Sequence, residues 1–146
     1  MIANAPFYVA EPPASYLSFP PIVVDCSILV AILFDEPQAD AARQLTSRRT
    51  LHAPWLLDHE MASVADKKRK AGAAPELLQV AVATYLALGV TLHRASPDVV
   101  LPLALSYSIS SYDAAYLAVA ATLHVPLVTF DHKLGKAALR HLGSLE

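Results

Sequence analysis

Four carboxylates are distributed along the chain so that strand ends and helix starts could gather them: Asp25, Glu60, Asp113 and Asp131. Asp25 follows the run Ile22-Val23-Val24 and precedes an apolar helical segment from Ile28 to Phe34. Glu60 shares a helix face with Leu57, Met61 and Val64, which puts an acid on an apolar stripe. Burying a carboxylate without a partner is costly, so Glu60 is either exposed at the edge of that stripe or held by a cation, a hydrogen-bond network or a metal. Asp113 falls in the first turn of a helix that Ser111 can cap, and Asp131 follows the apolar run Leu127 to Phe130. Taken singly, Asp113 could serve only its helix terminus and Asp131 only a turn. Carboxylates that converge with no lysine or arginine among them repel one another unless a cation joins them. Oxygen-only ligation with room for water suits Mg²⁺ or Mn²⁺. One or two such ions lower the pKa of a bound water and neutralise charge on a phosphodiester.

The elements that must hold these acids alternate in type. Short strands are predicted at Ile22–Val24, Thr50–Ala53, Val90–His93 and Leu127–Phe130, separated by helical segments. That alternation, with short connections, implies a three-layer α/β/α domain with a parallel sheet of four or five strands and right-handed crossovers. In such sheets ligand sites collect at the carboxyl ends of the strands, where Asp25 and Asp131 fall. Ser27 can cap the first helix or turn its hydroxyl toward Asp25 or a ligand. Asp58 and His59 read as solvated first-turn residues. The run Lys67-Lys68-Arg69-Lys70 reads as a solvated helix end or as a contact to a phosphate backbone.

Length and composition narrow the class. A chain of 146 residues accommodates one domain with a sizeable core. Residues 1–21 form a proline- and aromatic-rich arm, with Pro6, Pro12, Pro13, Phe7, Tyr8 and Tyr16, and the folded domain is expected over 22–146. Hydrophobic residues make up 55% and the mean hydropathy is +0.40, yet no segment supplies the ~20 apolar residues that span a bilayer. The apolar excess is therefore expected to meet another chain, most plausibly a second copy through the helices around Leu77–Leu88 and Val99–Leu105. With one cysteine, Cys26, there is no disulfide framework and no cysteine zinc cluster. That cysteine count and the lack of a basic, then apolar, leader lead to the expectation of a cytoplasmic protein. A formal charge of −2 requires any nucleic-acid contact to use local patches. No motif ties a histidine to Cys26, so thiolate chemistry is not expected.

In order and spacing, IVVDCSILVAILFDEP, LLDHEMAS, SSYDAAYLAVA and LVTFDHKL resemble the PIN domain, and within it the VapC-type toxin ribonucleases. The resemblance covers about Ile22 to Leu142. It implies that Asp25, Glu60, Asp113 and Asp131 are the catalytic, metal-binding acids, with Ser27 and Thr129 at supporting hydroxyl positions. It further implies Mg²⁺- or Mn²⁺-dependent cleavage of single-stranded RNA to a 3′-hydroxyl and a 5′-phosphate, a homodimer, and a small antitoxin whose tail enters the acidic groove. Two other classes stay open. A PIN-like module that binds RNA or protein without turnover would carry the same acids. A receiver-like phosphoacceptor would need paired acids after the first strand and a lysine after the last, where this chain has Asp25-Cys26 and Asp131.

Overall fold

Four strands, β1 (Pro21–Val24), β2 (Thr50–Pro54), β3 (Thr91–His93) and β4 (Leu127–Val128), form one sheet in the order β3-β2-β1-β4, and every neighbouring pair is parallel. The computed structural model describes residues 19–145. The arm expected at the amino terminus therefore lies outside the described residues, except that Pro21 already pairs with Thr50 and Pro20 accepts the Thr50 amide. Each crossover between strands contains two helices: α1 (Cys26–Leu33) and α2 (Ala39–Thr46), then α3 (Leu56–Lys70) and α4 (Pro75–Ala87), then α5 (Pro97–Tyr107) and α6 (Ser111–Leu123). The last helix, α7 (His132–Leu142), follows β4. This is the expected α/β architecture with four strands.

The physical centre is the pair β1 and α6. Ile22, Val23 and Val24 are buried, as a parallel strand covered on both faces requires. Helix α6 lies against β1, β2 and β4, with α5 and α7 beside it, while α1, α2, α3 and α4 pack on one another as a second group. A helix on the surface of a sheet usually buries one apolar stripe. Instead all seven residues from Ala114 to Ala120 are buried, because α6 is enclosed on every side. Small alanines let that helix come close to its neighbours, and Tyr116 is its one buried large polar-tipped side chain.

Helix starts fix where the acids go. Ser110, not Ser111, is the N-cap of α6: its backbone is extended and its hydroxyl accepts the Asp113 amide at 3.0 Å. Asp25, not Ser27, caps α1 by accepting the Ile28 amide. Asp131 caps α7, accepting the Leu134 amide at 2.7 Å. Two of the four acids thus hold helix termini, and a third sits in a first turn.

Candidate active site

Asp25 is the one charged residue buried in the core of the described residues, at 6% exposure. Such burial is tolerable only because its carboxylate is saturated with donors. Ser27 Oγ donates to Oδ1 at 2.6 Å, the Ile28 amide points at the same oxygen, and Thr129 Oγ1 donates to Oδ2. Both hydroxyls are themselves fixed by backbone amides. Ser27 Oγ accepts from Phe130 N at 3.0 Å, and Thr129 Oγ1 accepts from Asp131 N at 2.8 Å. The carboxyl end of β1 and the carboxyl end of β4 are therefore stitched together through two hydroxyls, and the orientation of Asp25 is set from both sides. Of the two readings open for Ser27, the structure gives the one in which it orients Asp25.

Glu60, on α3, accepts a hydrogen bond from Tyr116 Oη at 2.8 Å. This is the hydrogen-bond partner that an acid on an apolar stripe demanded. Sequence reasoning missed Tyr116, although it stands three residues beyond Asp113 on the same helix, at the spacing that makes helical neighbours.

Electrostatics ties the four acids into one neighbourhood. Burial raises the Asp25 carboxyl above its ordinary range, opposed by the hydrogen bonds from Ser27 and Thr129. Glu60 is raised by burial, with the charges of Asp25 and Asp113 adding to it and Tyr116 opposing. Asp113 is raised by burial, then by the charges of Asp131 and Asp25. None of the four forms a salt bridge among the described residues.

The donor set is hard oxygen throughout, uncompensated and mutually repelling, which fits a divalent cation of the Mg²⁺ or Mn²⁺ type. It does not amount to a ready cage: among the described residues no three His, Cys, Asp or Glu side chains close around a single point. The arrangement fits an ion that keeps several of its waters rather than one stripped by an all-protein shell.

Cations lie nearer than expected. Lys133, two residues after Asp131, is close enough to offset part of the repulsion at Asp113, so the expectation that no lysine stands among the acids is corrected. Of the basic run, Lys68 pairs with Glu36 at 3.1 Å, and Arg69 and Lys70 pair with Asp66 at 2.9 and 2.8 Å. Lys67 makes no ion pair among the described residues and acts on the nearby Cys26. Asp58 is not merely solvated, because it accepts the Tyr85 hydroxyl at 2.7 Å. The Cys26 thiol is pushed up to about 12 by burial and by the charges of Glu60 and Asp25. It stays protonated near neutral pH and is no nucleophile.

The chain is similar to known proteins over most of its length. The family model of the PIN domain matches residues 22–139. VapC ribonuclease Mb0985 of Mycobacterium bovis is 37% identical over 117 residues, 77% of this chain and 87% of that protein. Ribonuclease VapC9 of Mycobacterium tuberculosis matches with the same identity and coverage. The solved structure of PAE2754 from Pyrobaculum aerophilum superposes with a TM-score of 0.60 at 21% identity, covering 87% of this chain and 92% of that one, a likeness of fold alone. From strand β1 into helix α7 the chain belongs to the PIN domain family, and the relatives it matches there are VapC-type ribonucleases.

Proposed function

We propose that the chain is a Mg²⁺- or Mn²⁺-dependent endoribonuclease, the toxin of a toxin–antitoxin pair, hydrolysing RNA phosphodiester bonds in the cytoplasm. The observation that carries this reading is a set of acids without ion pairs at the carboxyl edge of the sheet, of which Asp25, Glu60 and Asp113 are raised first by burial and the last two further by neighbouring carboxylates, in a chain 37% identical to proteins named as ribonucleases. Asp25, Glu60, Asp113 and Asp131 would hold the ion or ions. When bound, the ion supplies an acidified water and charge neutralisation at the phosphodiester.

The chain's own residues do the rest. Ser27 and Thr129 fix the oxygens of Asp25, so the carboxylate need not reorganise when substrate arrives. Tyr116 does the same for Glu60. Lys133 and Lys67 draw the RNA backbone toward a site whose acids would otherwise repel it. The antitoxin would cover this acidic groove with a segment carrying basic side chains.

The partner for the apolar excess is a second copy. Leu77, Val80 and Leu86 on α4 and Val99, Leu101 and Leu105 on α5 are large and exposed, with Leu105 at 72% exposure. Light scattering should give about twice the 15.7 kDa chain mass. Leu86→Glu combined with Leu105→Glu should return it to one chain, and an unchanged dimer in that variant would move the interface elsewhere.

A fluorogenic single-stranded RNA assay tests the activity. Cleavage should require Mg²⁺ or Mn²⁺, stop with EDTA and resume when the ion is restored. Ion binding without any cleavage would favour the non-catalytic module, and EDTA-resistant cleavage would contradict the metal reading.

A further inference from the structure

The single tryptophan of the chain is out of place for a soluble domain. Trp55 is 60% exposed although it begins α3 directly at the carboxyl end of β2. It is not there through slack in the chain, because its amide donates to His93 O on β3 at 2.9 Å and its carbonyl accepts the Asp58 amide. An exposed, rigidly held indole is a contact surface awaiting a partner.

Beside Trp55 is a mostly apolar cavity of about 340 Å³, lined by Pro54, Trp55, Leu56 and Ala115 together with Arg94 and Ser111. That volume is within the ~300–1,000 Å³ of small-molecule sites. Arg94 is exposed and forms no salt bridge among the described residues, although its field reaches the exposed Asp98. The cavity opens against the same elements that carry the acids: Ser111 and Asp113 both lie in the first turn of α6, and Leu56 lies one helical turn before Glu60 on α3. The sheet order places the ends of β2 and β3 on one side of β1, where Asp25 sits. Neighbouring strands are ~4.8 Å apart, so the cavity is one to two strand spacings from Asp25.

We propose that this cavity is a base-binding subsite for a nucleotide flanking the scissile bond, with Trp55 stacking on the base, Arg94 holding its phosphate and Ser111 reading its edge. The inference rests on the ribonuclease reading and deepens it by naming the residues that select sequence. An apolar slot with one indole face and one unpaired guanidinium matches an unstacked base joined to a phosphate, the combination that single-stranded RNA presents. RNA crossing the acids must lay its neighbouring nucleotides along this same edge, where Arg94 adds a second cation to the one Lys133 provides beside Asp113.

Because Trp55 is the only tryptophan, its fluorescence reports the subsite directly. Mixed-sequence single-stranded oligoribonucleotide added to the Asp113→Asn full chain, which would bind without turning over, should quench Trp55 and saturate. In the wild-type chain with Mn²⁺, Trp55→Ala should raise KM about tenfold while kcat changes little, and should flatten the preference for the base beside the cut. Trp55→Phe should recover part of the loss. Arg94→Ala should weaken binding and reduce its salt dependence, and this arm stands if the tryptophan variant fails to fold. Wild-type cleavage with no quenching and with unchanged KM and base preference in both variants would overturn the subsite and leave the indole to a protein partner. Quenching by RNA in a chain that cleaves nothing would support the subsite while the nuclease reading failed.

Discussion

Helix α3 carries two acids that live under opposite rules. Near its start, Glu60 faces Asp25, Asp113 and one tyrosine hydroxyl, and its carboxyl is raised. Six residues on, Asp66 is fully exposed, takes Arg69 and Lys70 within 3 Å, and is lowered. Exposed i,i+3 and i,i+4 pairs like the second contribute ~0.3–0.5 kcal/mol and are screened by salt. The first costs stability in the free protein, since the charges of Asp25 and Asp113 add to the burial that already disfavours an ionised Glu60. One region is arranged for solubility and helix support. The other keeps a burial and charge strain that the proposed cation would relieve.

The largest expected effect comes from breaking the strained region. Asp113→Asn should lower metal-dependent RNA cleavage by orders of magnitude, because it removes a ligand and a charge together. A variant that cleaves at the wild-type rate would remove Asp113 from the site.

Tyr116→Phe sharpens the comparison by leaving every acid in place. The tyrosine hydrogen bond holds Glu60 down against burial, so its loss raises Glu60 further and should move the acidic limb of the pH–rate profile to higher pH. The stability cost should be ~1 kcal/mol. A profile that keeps its acidic limb would show that Glu60 does not govern the rate.

A smaller effect should appear in the stability of the metal-free protein against pH. Asp25, Asp113 and Glu60 have folded values above their ordinary 3.8, 3.8 and 4.5. Folding therefore favours their protonated forms. That contribution is fully present below the ordinary values and is lost as pH rises through the raised ones. The part of the melting temperature these acids control should fall as pH rises past their ordinary values and through the raised ones without metal, and saturating Mn²⁺ should remove the fall. Asp66 has the opposite sign, its contribution being lost as pH falls through its lowered value. The smallest effect is at that residue: Asp66→Asn should leave both the melting temperature and cleavage close to wild type, as read by melting and by the RNA assay.

Much of this contrast was legible in the sequence, for definable reasons. Strands β1 and β4 are short β-branched or apolar runs bounded by prolines and acids, so the carboxyl ends that hold Asp25 and Asp131 could be placed. Strand β4 was expected to reach Phe130 but pairs only through Val128, because the Thr129 hydroxyl and Phe130 amide turn away to serve Asp25 and Ser27. The choice between Ser110 and Ser111 as cap is decided by backbone geometry, and adjacent serines look alike in sequence. Tyr116 was hidden because a tyrosine in an apolar helix counts as core, which it is, with its hydroxyl alone reaching Glu60. The neighbourhood of Trp55 and Arg94 depends on β2 lying beside β3, a fact of sheet order that no local pattern carries. The pairing of Arg69 and Lys70 with Asp66, by contrast, was present in the helical spacing itself.

The central claim is that the four acids form one cation site that strains the free protein. Thermal melting of the wild type and of Asp113→Asn, each titrated with Mn²⁺ at neutral pH, tests it most directly. Without metal, Asp113→Asn should melt at the wild-type temperature or slightly above it, and Mn²⁺ should raise the wild type in a saturable way while raising the variant far less. A wild type indifferent to Mn²⁺, or a metal-free Asp113→Asn destabilised by several kcal/mol, would contradict the claim and make Asp113 a structural residue of its helix terminus.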